Sequence, residues 1–312
     1  MTNSLETRTV TNLQYQLSAD RMIYAMAPEN EAVLEVEAGS TVTIATCDCF
    51  EGQIEDVNQD FGTLDWERIN PATGPIFVRG AEPGDILLVH IEDIQLAEQG
   101  VMTTGPGLGV LGDELAANAI RMVEVRDGKA VFSTDIEFPL RPMIGVIGTA
   151  PGCQSVPCGT PGDHGGNMDC TRITTGAALL LPVNVPGALF ALGDLHASMG
   201  DGEVAVCGIE IAGRVTVRLD VLKGKSWPLP MLVNDEVVVT IASEESLDDA
   251  AVRATKQMVH WLHDEFGMEL AEATFLCSAA GDLRVCQIVD PLRTARFEVP
   301  RTIVEKLGFA LA

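Results

Sequence analysis

Histidine is scarce in this chain, with five in 312 residues. Two of them keep unusual company. His164 lies in Asp163-His164-Gly165-Gly166-Asn167-Met168-Asp169, and His196 closes Gly193-Asp194-Leu195-His196. Gly200-Asp201-Gly202-Glu203 and Cys207-Gly208-Ile209-Glu210 follow, and Cys47-Asp48-Cys49 stands far upstream. In an extended segment, Asp194 and His196 are two residues apart and so share one side. An imidazole and a carboxylate on one side suit a borderline divalent cation. Glycines around His164 and Asp169 let the backbone fold tightly and aim side chains inward. Asp48, Asp201, Glu203 and Glu210 offer further oxygen ligands or a general base. Each fragment alone has a plainer reading: Asp-x-His as a hydrogen-bonded structural pair, Asp-Gly-Glu as a solvated turn, His164 as a surface loop residue. Two histidines and several carboxylates between 164 and 210, laced with glycine, bring a metal site level with these readings.

Other chemistries find less support. His90 lies in a strand-like run on the face opposite Val89 and Ile91, and His260 and His263 fall where a helix ends, so all three read as structural. No Gly-x-Ser-x-Gly elbow is present. Cys153 and Cys158 would need an activating base, and only His164 is near in sequence. The five lysines sit mostly at turns, which leaves a lysine-dependent amidase or nitrilase apparatus hard to place. Gly105-Pro106-Gly107-Leu108-Gly109 does not join a strand to a helix as a dinucleotide fingerprint must, and no P-loop occurs.

The composition narrows the partners. Acidic residues number 45 and basic residues 20, a net charge of −25, which repels nucleic acid and anionic membranes and suits a small neutral substrate or a cation. Residues 1–25 show no signal-peptide pattern, and no apolar run is long enough to span a bilayer. The eight cysteines lack paired Cys-x-x-Cys spacing and read as reduced thiols of a cytoplasmic protein.

The elements that must position these residues are short. β-branched runs such as Ile86 to Ile94 and Ile209 to Leu222 alternate with glycine and proline turns, which predicts a mainly β fold, sandwich- or barrel-like, over residues 1–224. Glu82-Pro83-Gly84-Asp85 is a turn, and Asp127-Gly128 a hairpin signal. Residues 225–312 predict a smaller α/β domain. Its one amphipathic helix, about 247–266, is capped by Ser246 and ended by Gly267, with strands at 273–276 and 283–289.

Several longer motifs resemble the acetamidase/formamidase family. They are Thr46-Cys47-Asp48-Cys49 with Gly52-Gln53-Ile54, Asn70-Pro71-Ala72-Thr73-Gly74-Pro75, and Gly80-Ala81-Glu82-Pro83-Gly84-Asp85. More specific are His164 to Asp169, Leu181-Pro182-Val183, and Gly187 to Ala197 running into Gly200-Asp201-Gly202-Glu203 and Glu210. Met199 departs from the glutamine of the family pattern, and the chain looks like the shorter, acetamidase-like form. The resemblance implies a β-rich fold, a divalent metal (zinc, with calcium as an additional candidate), and hydrolysis of short aliphatic amides to ammonia and a carboxylate. It also implies a homodimer or higher homo-oligomer. On this reading Asp48, His164, Asp194 and His196 hold the metal, and Asp169 is a ligand or orienting residue. Glu210 is the general base, with Asp201 and Glu203 in reserve, and glycine-loop N–H groups of residues 164–169 face the oxyanion. The imidazoles of His164 and His196 must then face one hollow. Two further classes stay open: a non-catalytic β-sandwich binding module with a structural ion, and a metallophosphoesterase, which lacks the additional histidine motifs it needs.

Overall fold

The computed structural model describes residues 14–311, so the first half of the N-terminal stretch read above lies outside the described residues. The fold is mainly β, as expected, with α-helices confined to the C-terminal part of the described residues. Nine strands form one sheet in the order Gln14–Leu17, Ser40–Thr46, Gly213–Leu222, Ile86–Leu96, Ala178–Pro182, Met231–Val233, Val237–Glu244, Arg293–Pro300, Asp282–Gln287. A second, eleven-stranded sheet runs Glu137–Pro139, Lys129–Val131, Ala119–Arg126, Gln99–Thr104, Glu210–Ile211, Phe190–His196, Met143–Gly148, Gly165–Asn167. Ala72–Arg79 also pairs with Phe190–His196 and carries Met22–Ile23 and Leu34–Glu37.

Alternation along the strands explains the layering. In Ile86–Leu96, Leu87, Val89 and Ile91 point into the core between the two sheets, where Val42, Val217 and Leu179 meet Ile144, Ile147 and Leu192. Ile86 and Leu88 point the other way and pack under helices. Each such side chain, once buried, contributes about 1.5–3 kcal/mol. The hairpin at Asp127-Gly128 forms as its residues dictate, with both at positive φ (51° and 72°) and Arg126 paired with Lys129. The Glu82–Asp85 turn closes through Asp85 N–H donating to Glu82 O at 2.9 Å.

Helix α1 spans Leu247–Phe266, with the Ser246 hydroxyl accepting from Asp249 N–H and Gly267 at φ 67° ending it. Ala250, Ala254, Met258, Trp261 and Leu262 are its buried face. Residues 273–276 are not a strand: they lie in helix α2, Leu270–Ala280, where alanine-rich sequence outweighs the local Thr-Phe-Leu pattern. Met231–Val233 pairs antiparallel with Ala178–Leu180, so the nine-stranded sheet takes strands from both sides of residues 224/225. Both helices pack on the outer face of that same sheet. Among the described residues no helix is long and apolar enough to cross a membrane.

Candidate metal centre and active site

Strand Phe190–His196 lies between Met143–Gly148 and Glu210–Ile211 in the second sheet, and His196 pairs in register with both Met143 and Glu210. This register brings His196 and Glu210 together, with Nε2 3.1 Å from Oε1. Asp194 Oδ1 lies 3.6 Å from Nε2, Asp169 Oδ1 3.8 Å and Glu203 Oε1 3.9 Å. One imidazole thus faces four carboxyl groups, each at most 5% exposed. Three of those acids carry left-handed backbone: Asp169 at φ 45°, Asp194 at 56° and Glu203 at 49°. Non-glycine residues adopt that region at a cost of order 1–3 kcal/mol, and they concentrate at functional sites.

Glycine makes the approach possible. A Cβ on Gly145 would stand 2.5 Å from Asp169 Oδ1 and 2.5 Å from Asp194 Oδ2. A Cβ on Gly208 would stand 2.6 Å from His196 Nδ1. Gly208 N–H also donates to Glu210 Oε1 at 2.8 Å, so one glycine packs the imidazole and anchors the acid.

The electrostatics are severe. Burial alone would depress the His196 pKa, but Glu210 and Asp194 overcome it and hold the imidazole well above its usual range. Burial likewise pushes up Asp169, which is raised further by Asp290, and Glu203, raised further by Asp169. Burial lifts Glu210 to about 7, with His196 pulling against it. Asp194 goes the other way, since His196 outweighs burial and keeps it below the usual carboxylate range. Buried oxygens without a hydrogen-bond partner include both of Asp169, Asp194 Oδ1, Glu203 Oε2 and Glu210 Oε2, and His196 Nδ1 is also unpartnered. Buried, unpaired carboxylates are costly unless a cation shares them. Two donor groups fit one. Asp169, His196 and Glu203 offer ligand atoms within 4.8 Å of one another, as do Cys49, Asp194 and Glu210. Imidazole, carboxylate and thiol donors are those of a zinc-type ion.

The centre opens on a cavity of about 130 Å³, walled by Phe50, Trp66, Ile69, Leu108 and Val206 and floored by Asn167, Asp194, Glu203, Glu210 and Asp290. It has room for a molecule of a few non-hydrogen atoms.

The structure brings together Asp169, Asp194, His196, Glu203 and Glu210 from the residues singled out in the sequence. His164 is not among them. Its carbonyl accepts from Thr149 N–H, whereas His196 pairs with Met143. Six residues of strand separate those positions, about 20 Å at about 3.3 Å per residue. His164 is buried, lines no part of this cavity, and packs over Gly162 and Gly166, so the expected shared hollow for two imidazoles is absent. Asp201 also stands outside. Gly202 N–H donates to Cys286 O, which turns the Asp201 carboxylate toward Arg296 (2.7 and 3.0 Å) and Thr171 Oγ1 (2.8 Å). Its carboxylate is engaged in an ion pair with Arg296. Asp48 Oδ1 accepts from the N–H groups of Phe50 (2.8 Å) and Gly52 (3.1 Å), shaping the loop that delivers Cys49. Met199 is buried, offers its carbonyl to Arg141, and lines a neighbouring cavity of about 240 Å³ instead. Sequence reasoning missed Asp290, which enters the cavity from a turn held by Gln287 Oε1. Its position depends on a long-range contact that no local spacing signals. His90 is neither a surface nor a fully satisfied histidine, since its Nε2 is buried without a hydrogen-bond partner, while His263 sits at the end of helix α1 as expected. Burial and then Arg218 hold the His90 imidazole down to about 4, and His263 Nδ1 meets Met268 O.

Comparison with known proteins agrees with this architecture. The profile of the Acetamidase/Formamidase family matches residues 14–158 and 152–306. The crystal structure of an acetamidase from Bacillus halodurans is 48% identical, covers 94% of this chain and 100% of that one, and superposes with a TM-score of 0.93. That of a predicted acetamidase/formamidase from Thermoanaerobacter tengcongensis is 46% identical, covers 96% and 99%, and gives 0.94. The acetamidase of Mycolicibacterium smegmatis is 29% identical, the match covering 63% of this chain and 65% of that enzyme. The chain therefore spans less than two thirds of that curated relative's length. With both halves matched and the fold shared nearly throughout, the chain belongs to the acetamidase/formamidase family.

Proposed function

We propose that this chain hydrolyses short aliphatic amides, formamide and acetamide among them, to ammonia and the carboxylic acid, with a divalent cation held by Asp169, Asp194, His196 and Glu203. The observation that carries the reading is the cluster of buried, unpartnered carboxylate oxygens around one imidazole, opening on a small cavity. The names of the relatives supply the substrate class. A bound cation polarises a carbonyl and lowers the pKa of water toward neutrality. The imidazole favours zinc over calcium, which takes oxygen ligands.

Glu210 is the general base of the proposal. Its carboxyl is held at about 7 chiefly by burial, so near neutral pH it is poised both to take a proton and to return it. It accepts a proton from the attacking water as the new C–O bond forms at the carbonyl carbon. It then delivers that proton to the amide nitrogen as the C–N bond breaks, and ammonia leaves behind a carboxylic acid. Gly208 N–H fixes Glu210 Oε1, leaving Oε2 for this shuttle. Phe50, Ile69, Leu108 and Val206 shield the reacting group from water and suit a short alkyl chain. The eight free thiols, six of them buried, support a reducing compartment, the cytoplasm. The resemblance also carries a homo-oligomer into this reading.

Ammonia release from formamide, acetamide and propionamide tests the proposal, measured before and after chelation and again after adding zinc. The expected result is release that stops with the chelator and returns with zinc. Release untouched by chelation would remove the metal, and no release from the zinc-loaded protein would remove amide hydrolysis.

A further inference from the structure

The geometry points to Asn167 as the residue that selects a primary amide, by accepting a hydrogen bond from the substrate –NH2 group. This inference rests on the proposed amide hydrolysis and deepens it. Asn167 is 3% exposed at the end of strand Gly165–Asn167 and lines the cavity beside Asp194, Glu203 and Glu210. Its Nδ2 donates to Asp290 Oδ2 at 3.0 Å. This contact turns Nδ2 toward Asp290 and Oδ1 away from it. Oδ1 is thereby left as a buried acceptor, and it has no partner in the protein.

Asp290 is itself held in place. Gln287 Oε1 accepts from the N–H groups of Val289 (3.0 Å) and Asp290 (3.1 Å). Gln287 Nε2 donates to Leu292 O (2.6 Å) and Thr294 Oγ1 (3.1 Å). A chain of hydrogen bonds from the C-terminal hairpin thus sets the orientation of one amide in the cavity. A buried unpaired acceptor discriminates strongly, because a ligand without the matching donor leaves it desolvated and unsatisfied. A primary amide offers N–H donors next to its carbonyl. An ester of the same shape offers none.

The experiment compares kcat/KM for acetamide and methyl acetate in the wild-type enzyme, N167L and D290A, each with its metal content measured. Asn167→Leu keeps the shape and removes the acceptor. The expected result is a loss of ten- to a hundredfold on acetamide and less than threefold on the ester, so the ester-to-amide ratio rises at least threefold. Asp290→Ala frees the Asn167 amide to turn, and it should shift the ratio in the same direction by less. D290A also keeps the test decisive if N167L fails to fold. A ratio unchanged from wild type in the folded variants, whatever happens to the amide rate, would overturn the assignment. Failure of the zinc-loaded wild-type enzyme to release ammonia from acetamide counts instead against the proposed function.

Discussion

Replacing Gly145 by alanine probes the centre without removing a titratable group. Gly145 lies on strand Met143–Gly148 between the two acids that approach from either side, Asp169 and Asp194. Its added methyl would meet Asp169 Oδ1 and Asp194 Oδ2 at 2.5 Å, where ordinary contact begins at 3.4 Å, so each oxygen must retreat by about 0.9 Å. The backbone offers little relief, because the next neighbour is Asp194 O at 3.1 Å. Overpacking of this kind costs about 1–3 kcal/mol of stability. Displacing a positioned group by about 1 Å costs on the order of a hundredfold in rate. The assay is acetamide turnover with bound zinc counted per chain, alongside denaturant unfolding. G145A should lose about a hundredfold in kcat/KM and part of its zinc while it stays folded. Gly152→Ala is the control, since its Cβ meets nothing closer than Asn184 Cβ at 3.8 Å. A G145A enzyme with full zinc and full activity would refute the reasoning, because the two carboxylates could then separate without consequence.

The Arg296 network yields two more predictions. Arg296, 4% exposed, donates to Glu298 Oε1 (2.7 Å), Asp201 Oδ2 (2.7 Å) and Val285 O (2.7 Å). R296M removes one of the two arginines that hold buried Glu298, Arg172 being the other, and should lower unfolding free energy by about 1.5–3 kcal/mol in denaturant titrations. Burial alone would raise Glu298, but hydrogen bonds from Arg172 and Arg296 bring its carboxyl below the usual range. Its contribution to stability is therefore complete above the unfolded pKa of about 4.3 and is lost as pH falls through the lower folded value. Glu298→Gln should flatten the stability profile below about pH 4.3, and an unchanged acid limb would contradict the assignment.

The parts of this molecule that follow local rules were legible in the sequence. Alternation in Ile86–Leu96, the cap and stop of helix α1, and the Asp-Gly hairpin are short-range facts, and each holds. Asp194 and His196 meet as their spacing suggests, although Asp194 does so at φ 56° rather than from regular extended backbone. Positions set by long-range register were not legible. His164 and Asp169 share one glycine-rich motif, yet antiparallel pairing with Met143–Gly148 carries one to the centre and the other away from it. Asp201 and Glu203 are equally close in sequence, and a bridge from Gly202 to Gln287 sends one out to Arg296 and the other inward. Asp290 arrives from a hairpin whose place beside Asn167 depends on the whole sheet being assembled.

Anomalous diffraction at the zinc absorption edge, from crystals of the zinc-loaded protein, addresses the central claim most directly. The account predicts a peak enclosed by Asp169, Asp194, His196 and Glu203. Density there that stays flat, with the metal found instead beside His164 or only at the surface, would contradict it.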